Sequence, residues 1–171
     1  MKLDKETGRE QFEDVKEWLR RYRYAVDDVR ALQLRVETLR DKMMSISSPI
    51  WSDMPKGNST DPDKIGKAYS IVDEAEKELL DATEHARMVY REINDAIRQI
   101  RRNRTAEIRL VMQLRYLDLT PWDEVAFVMY GDKEDFYDRE STYTRKCHAF
   151  HRQGLELLKQ IIDFEETEAE K

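Results

Sequence analysis

The chain has 171 residues, of which 39% are charged and 40% hydrophobic, with five glycines and four prolines. That balance excludes a collagenous or low-complexity chain and suits a mostly helical protein with long solvated faces. A single cysteine excludes an internal disulfide and predicts a reducing, cytoplasmic setting.

The first predicted helix runs from about Glu10 to Met44. Its apolar stripe is Phe12, Val15, Leu19, Tyr22, Val26, Val29, Leu32, Val36, Leu39, Met43 and Ile46, a heptad seam with one deleted step near Val29. The opening residues are polar and hold no apolar stretch of signal-peptide type. Residues 45–63 break the pattern with proline, glycine, serine, asparagine and aspartate, and are predicted as a loop.

The second predicted helix repeats more regularly: Ile65, Ala68, Val72, Ala75, Leu79, Ala82, Ala86, Val89, Ile93, Ala96 and Ile100. Two heptad helices joined by one loop are expected to fold back as an antiparallel coiled-coil hairpin over residues 8–104. The alanines allow close approach but leave a thin core, so a homodimer or higher homo-oligomer, or docking of a further helix, is expected.

Beyond Arg101 the pattern changes. A helix with core positions Ile108, Val111, Met112, Leu114 and Leu117 is predicted, capped by Asn103 or Thr105 or continuous with the helix before it. Leu119-Thr120-Pro121 stops it, and Thr120 is the expected N-cap of the next helix, with Pro121 in its first position. That helix faces Trp122, Val125, Ala126 and Met129 inward and ends at Gly131. An acidic loop follows. A last helix, capped by Ser141 or Thr142, then runs to about Phe164 with Tyr143, Cys147, Phe150, Gly154, Leu155, Leu158 and Ile161 inside. Residues 165–171 are an acidic tail.

Three helices with a short middle one have the layout of a helix-turn-helix, here residues 105–164. Its last helix would enter the major groove of double-stranded DNA. With the core positions removed, the outer face offers Thr144, Arg145, Lys146, His148 and Arg152 for base edges, while Thr120, Arg139 and Thr142 are placed for phosphates. The net charge of −6 argues against nucleic acid, but residues 98–160 carry a small basic excess.

Residues 114–130, LRYLDLTPWDEVAFVMY, look like the helix-turn-helix of bacterial sigma factors, region four. More broadly the chain resembles phage late transcriptional regulators of the ArpU and RinA type. The likeness rests on Leu19-Arg20-Arg21-Tyr22, the loop Ser52-Asp53-Met54-Pro55-Lys56-Gly57, the second heptad helix, Arg115-Tyr116, and Trp122 through Tyr130. It implies a DNA-binding activator of late, packaging and structural genes, while the two heptad helices, read first as a spacer or dimer seam, have partner binding, for example to host RNA polymerase, as their functional reading. The chain departs from that family between its last two helices, where residues 131–140 form a long acidic loop instead of a short turn.

Other readings stand beside this one. A small terminase subunit also joins a helix-turn-helix to a helical oligomerisation hairpin, and an adaptor could have lost DNA binding altogether. Cys147 and His151 share a helix face, but no third ligand is evident, so no metal or other cofactor is expected and Cys147 reads as a small core residue. No glycine-rich phosphate loop, zinc-binding helix or nucleophile elbow is present, so no enzymatic activity is expected. No apolar run is long enough to span a membrane.

Overall fold

The computed structural model describes residues 12–47, 62–101 and 103–169, with side chains placed over 12–45, 66–101 and 103–162. The described residues are helical, with no strand among them. The helices are α1 (Glu13–Ser47), α2 (Pro62–Gln99), α3 (Thr105–Tyr116), α4 (Trp122–Tyr130) and α5 (Glu140–Ala169). The Met54-Pro55-Lys56-Gly57 loop, with Trp51, lies outside the described residues. α5 continues past its expected end at Phe164 into the segment predicted to be a tail.

By its contacts the chain divides into two units. One contains residues 25–87 and the other residues up to 24 together with those from 88 onward. In the first unit the facing stretches of α1 and α2 are tied by Arg35–Glu78 at 2.5 Å and Arg40–Glu76 at 2.8 Å. Partners advance on one helix as they recede on the other, which makes the two stretches antiparallel. The seam is thin. Ala25, Val36, Val72, Ala75 and Ala86 are buried, whereas Leu34 and Leu80 stand more than half exposed at 65% and 58%.

The second unit holds the main core. Phe12, Val15 and Leu19 of α1 and Val89, Ile93, Ala96, Ile97 and Ile100 at the end of α2 pack with Ile108, Val111 and Met112 of α3, Val125 and Ala126 of α4, and Cys147, Phe150 and Leu158 of α5. Burying such a set is the main favourable term in folding, with a fully buried aliphatic side chain worth about 1.5–3 kcal/mol. α1 and α2 also meet here through Tyr22 against Tyr90, edge to face at 5.4 Å, and the Arg21–Glu92 ion pair. Asn94, the buried polar residue of this core, accepts a hydrogen bond from Gln113 Nε2 at 3.3 Å.

The joints between helices differ from the sequence expectation, each for a local reason. α2 does not run into α3. Arg104, not Asn103 or Thr105, is the N-cap of α3, with a left-handed backbone (φ 59°) and no side-chain cap hydrogen bond of its own. Arg109 closes the end of α2 instead, donating to the carbonyls of Ile100 (2.7 Å) and Arg98. A cation at that end also meets the negative pole of the helix.

At the end of α3 the backbone N–H groups of Leu117, Asp118 and Thr120 take up the carbonyls of Gln113 and Leu114. Leu119 sits at φ 56°, a position glycine ordinarily fills, at a cost of about 1–2 kcal/mol for a side-chain-bearing residue. Arg115 Nη1 donates to the Thr120 carbonyl at 3.0 Å and holds this turn. Thr120 is therefore not the N-cap of α4. Its backbone is engaged with α3, and the cap is Pro121 in extended conformation without a side-chain hydrogen bond.

α3, α4 and α5 all pack on one another. α5 crosses α3 at Gly154, where an added Cβ would lie 2.7 Å from Met112 Sδ and 3.4 Å from Ile108 Cγ2. Any larger residue there would require the Met112 side chain to shift.

Candidate nucleic-acid interface

The acidic segment before α5 is not an open loop. It folds as consecutive turns, with Phe136 N–H to Lys133 O at 3.0 Å and Arg139 N–H to Asp135 O and Phe136 O at 3.1 Å. Phe136 is buried at 3% exposure, against Phe127 (5.8 Å between ring centroids) and Tyr143 (5.9 Å). The Tyr143 hydroxyl donates to Asp135 at 2.8 Å, and that bond, followed by burial, raises its phenol. The turns lead straight into α5, whose first N–H groups are taken by the Arg139 carbonyl: Thr142 at 2.8 Å and Tyr143 at 3.1 Å. Ser141 and Thr142 thus lie inside the first turn of α5 rather than capping it.

α5 is sharply two-sided over its first half. Tyr143, Cys147 and Phe150 are buried, and Arg145, Lys146, His148, Ala149 and Arg152 are exposed. Positions 145, 148, 149 and 152 recur at helical spacing and share one face. The three cationic side chains each have a resting contact. Arg145 Nε reaches the Ser141 carbonyl at 3.2 Å, and the Lys146 ammonium lies 4.8 Å from the Tyr143 ring and 6.0 Å from Tyr130. Arg152 pairs with Glu156 at 3.6 Å, and both side chains are largely exposed. Exposed pairs of this kind are worth at most about 1 kcal/mol and exchange readily for another anion.

Thr144 is half-buried and donates to the Glu140 carbonyl at 2.9 Å, so its hydroxyl is committed to the helix backbone. Of the three residues assigned to phosphates, Thr142 and Arg139 are exposed at the start of α5, with Arg139 paired to Asp135 at 3.4 Å. Thr120 belongs to the turn between α3 and α4 and is half-buried.

Sequence reasoning missed the aromatic platform beside this face. Trp122, expected to point inward, is half-buried at the start of α4. His148 lies 4.3 Å from its ring, His151 meets it edge-on at 5.0 Å, and the Arg115 guanidinium sits 5.3 Å above it. The signal was present in sequence as Arg115, Trp122, His148 and His151, but only tertiary packing joins them. His151 is half-buried against Tyr116, with Nε2 2.9 Å from the phenol oxygen. Burial, followed by the nearby charges of His148, Lys16 and Arg115, holds its pKa down to about 4. Burial pushes the Tyr116 phenol up to about 12. Cys147 instead touches Met129 Sδ at 3.7 Å, so the two residues weighed as a metal pair have separate partners, and burial raises the thiol.

The arrangement offers an exposed cationic helix face backed by a sealed core and flanked by an indole. No helix among the described residues is long and apolar enough to cross a membrane. Comparison with known protein families, with curated proteins and with solved structures finds no match to this chain.

Proposed function

We propose that this chain binds double-stranded DNA as a helix-turn-helix transcription regulator, with α4 and α5 as the two helices of the motif and α5 in the major groove. The supporting observation is the two-sidedness of α5: Tyr143, Cys147 and Phe150 face the core while Arg145, Lys146, His148 and Arg152 stay exposed. Arginine and lysine in that position donate to guanine O6 and N7. Thr144 contributes its methyl rather than its hydroxyl, and Arg139 and Thr142 serve the phosphate backbone.

The phage late-regulator role carries over from the resemblance at Arg115-Tyr116 and Trp122 through Tyr130, and the two long helices are the surface we assign to a protein partner such as host RNA polymerase. The thin seam of residues 25–87 supports a homodimer or higher homo-oligomer, because exposed Leu34 and Leu80 gain from a second chain.

The test is binding of labelled duplexes selected from a random pool. Arg145→Ala should weaken specific binding by about 1–3 kcal/mol and relax preference at one base pair. If the variant binds its selected site as wild type does, the assignment of Arg145 fails. Mass measurement separates regulation from packaging: a ring of many subunits would favour a small terminase. If duplex is not bound at low salt, an adaptor role stands, favoured then by the acidic turns 131–139.

A further inference from the structure

The cationic surface does not stop at α5. His148 touches Trp122, Arg115 lies over the same indole, and Arg115 also lines a notch of about 30 Å³ with Leu19, Arg20, Arg23, Tyr116 and Leu119. We infer that this notch, built from α1 and the end of α3, seats one phosphate of the DNA backbone, so that Arg23 and Arg20 of the first helix extend the contact made by α5. The inference rests on the DNA-binding reading above and adds a site on a helix that reading leaves unused.

Size selects the ligand. Small-molecule sites run to about 300–1,000 Å³, so a nucleotide or metabolite does not fit, whereas one edge of a phosphodiester laid across the mouth does. Charge selects it too. Arg23 is exposed and makes no ion pair or hydrogen bond among the described residues. Among the described residues Arg115 has neutral partners, the Thr120 carbonyl and the Trp122 ring. Arg20 is shared with Glu13 (2.9 Å) and Glu17 (3.2 Å), which leaves Arg23 and Arg115 as the principal source of attraction. Leu19 and Tyr116, both buried, form the floor and keep the local dielectric low. Arginine suits the task because its planar fork grips phosphate oxygens two at a time.

The experiment titrates random-sequence duplex by fluorescence anisotropy over a series of salt concentrations, for wild type, Arg23→Ala, Arg23→Lys and Lys133→Ala. Lys133 is an exposed cation in the acidic turns and serves as the charge-matched control. Arg23→Ala should weaken binding about threefold to tenfold at about 0.1 M salt and flatten the log–log salt slope by about 0.9, equally on random and selected duplexes. Arg23→Lys should recover most of the slope, and Lys133→Ala should match wild type. If wild type binds duplex and Arg23→Ala behaves as Lys133→Ala does, the inference is overturned while the DNA-binding reading survives. If wild type does not bind duplex at low salt, both fall. Inorganic phosphate at fixed ionic strength supplies the last arm. Stronger competition against wild type than against Arg23→Ala, with identical salt slopes, would make the notch a free-anion site and overturn the inference.

Discussion

Lowering the pH from 7 to about 4 should loosen the packing of α3, α4 and α5 through one imidazole. His151 sits between Tyr116 and Trp122, and its pKa is held near 4, against 6.5 for the free side chain, first by burial and then by the nearby charges of His148, Lys16 and Arg115. Nε2 lies 2.9 Å from the Tyr116 phenol oxygen, and that phenol keeps its proton across this range. Between about pH 6.5 and pH 4 the unfolded chain binds a proton at this residue and the folded one does not. Stability is therefore intact above that window and falls as the pH drops through it. The gap corresponds to about 3 kcal/mol, most of it lost by about pH 4.5. That is a large part of the total for a domain of this size. The assay is urea unfolding followed by near-ultraviolet circular dichroism at pH about 7 and about 4.5, for wild type and His151→Gln. Glutamine cannot titrate yet can still accept from Tyr116. Wild type should lose about 2–3 kcal/mol more than the variant between the two conditions. Equal losses would show that His151 is not what couples this core to pH.

Two further outcomes follow from the packing. Gly154→Ala should lower the melting temperature despite the helix propensity of alanine, because crowding fully buried Met112 costs about 1–3 kcal/mol against a propensity gain of about 1 kcal/mol; a higher melting temperature would refute the close approach. Phe136→Ala should cost about 3–5 kcal/mol and expose residues 131–139 to limited proteolysis, since that ring anchors the acidic turns; an unchanged cleavage rate would show that the turns hold without it.

The helices were legible in sequence because their apolar positions repeat at helical spacing. Ile108, Val111, Met112, Val125, Ala126, Cys147, Phe150, Leu155 and Leu158, all expected inside, are buried. The joints were not legible. Local chemistry favours Thr120, Ser141 and Asn103 as caps, but the α5 start is taken by the Arg139 carbonyl, and α3 and α4 begin at Arg104 and Pro121 without a side-chain cap. Phe136 was hidden because the pair Phe136-Tyr137 among acids carries no periodic signal. The Trp122 platform was hidden because Arg115, His148 and His151 come from different helices, and propensity does not encode which surfaces meet. Leu119 shows the same limit: nothing local to a leucine predicts a left-handed backbone, and the Arg115 bond to the following carbonyl helps hold it there.

The core that unites residues 12–24 with those from 88 onward also sets a timetable for synthesis. Phe12, Val15 and Leu19 leave the ribosome early, yet their partners extend to Leu158 of α5. At about 5–20 residues per second, that apolar stripe waits on the order of ten seconds for the chain that will cover it. The core of this unit can therefore close only once α5 has been made.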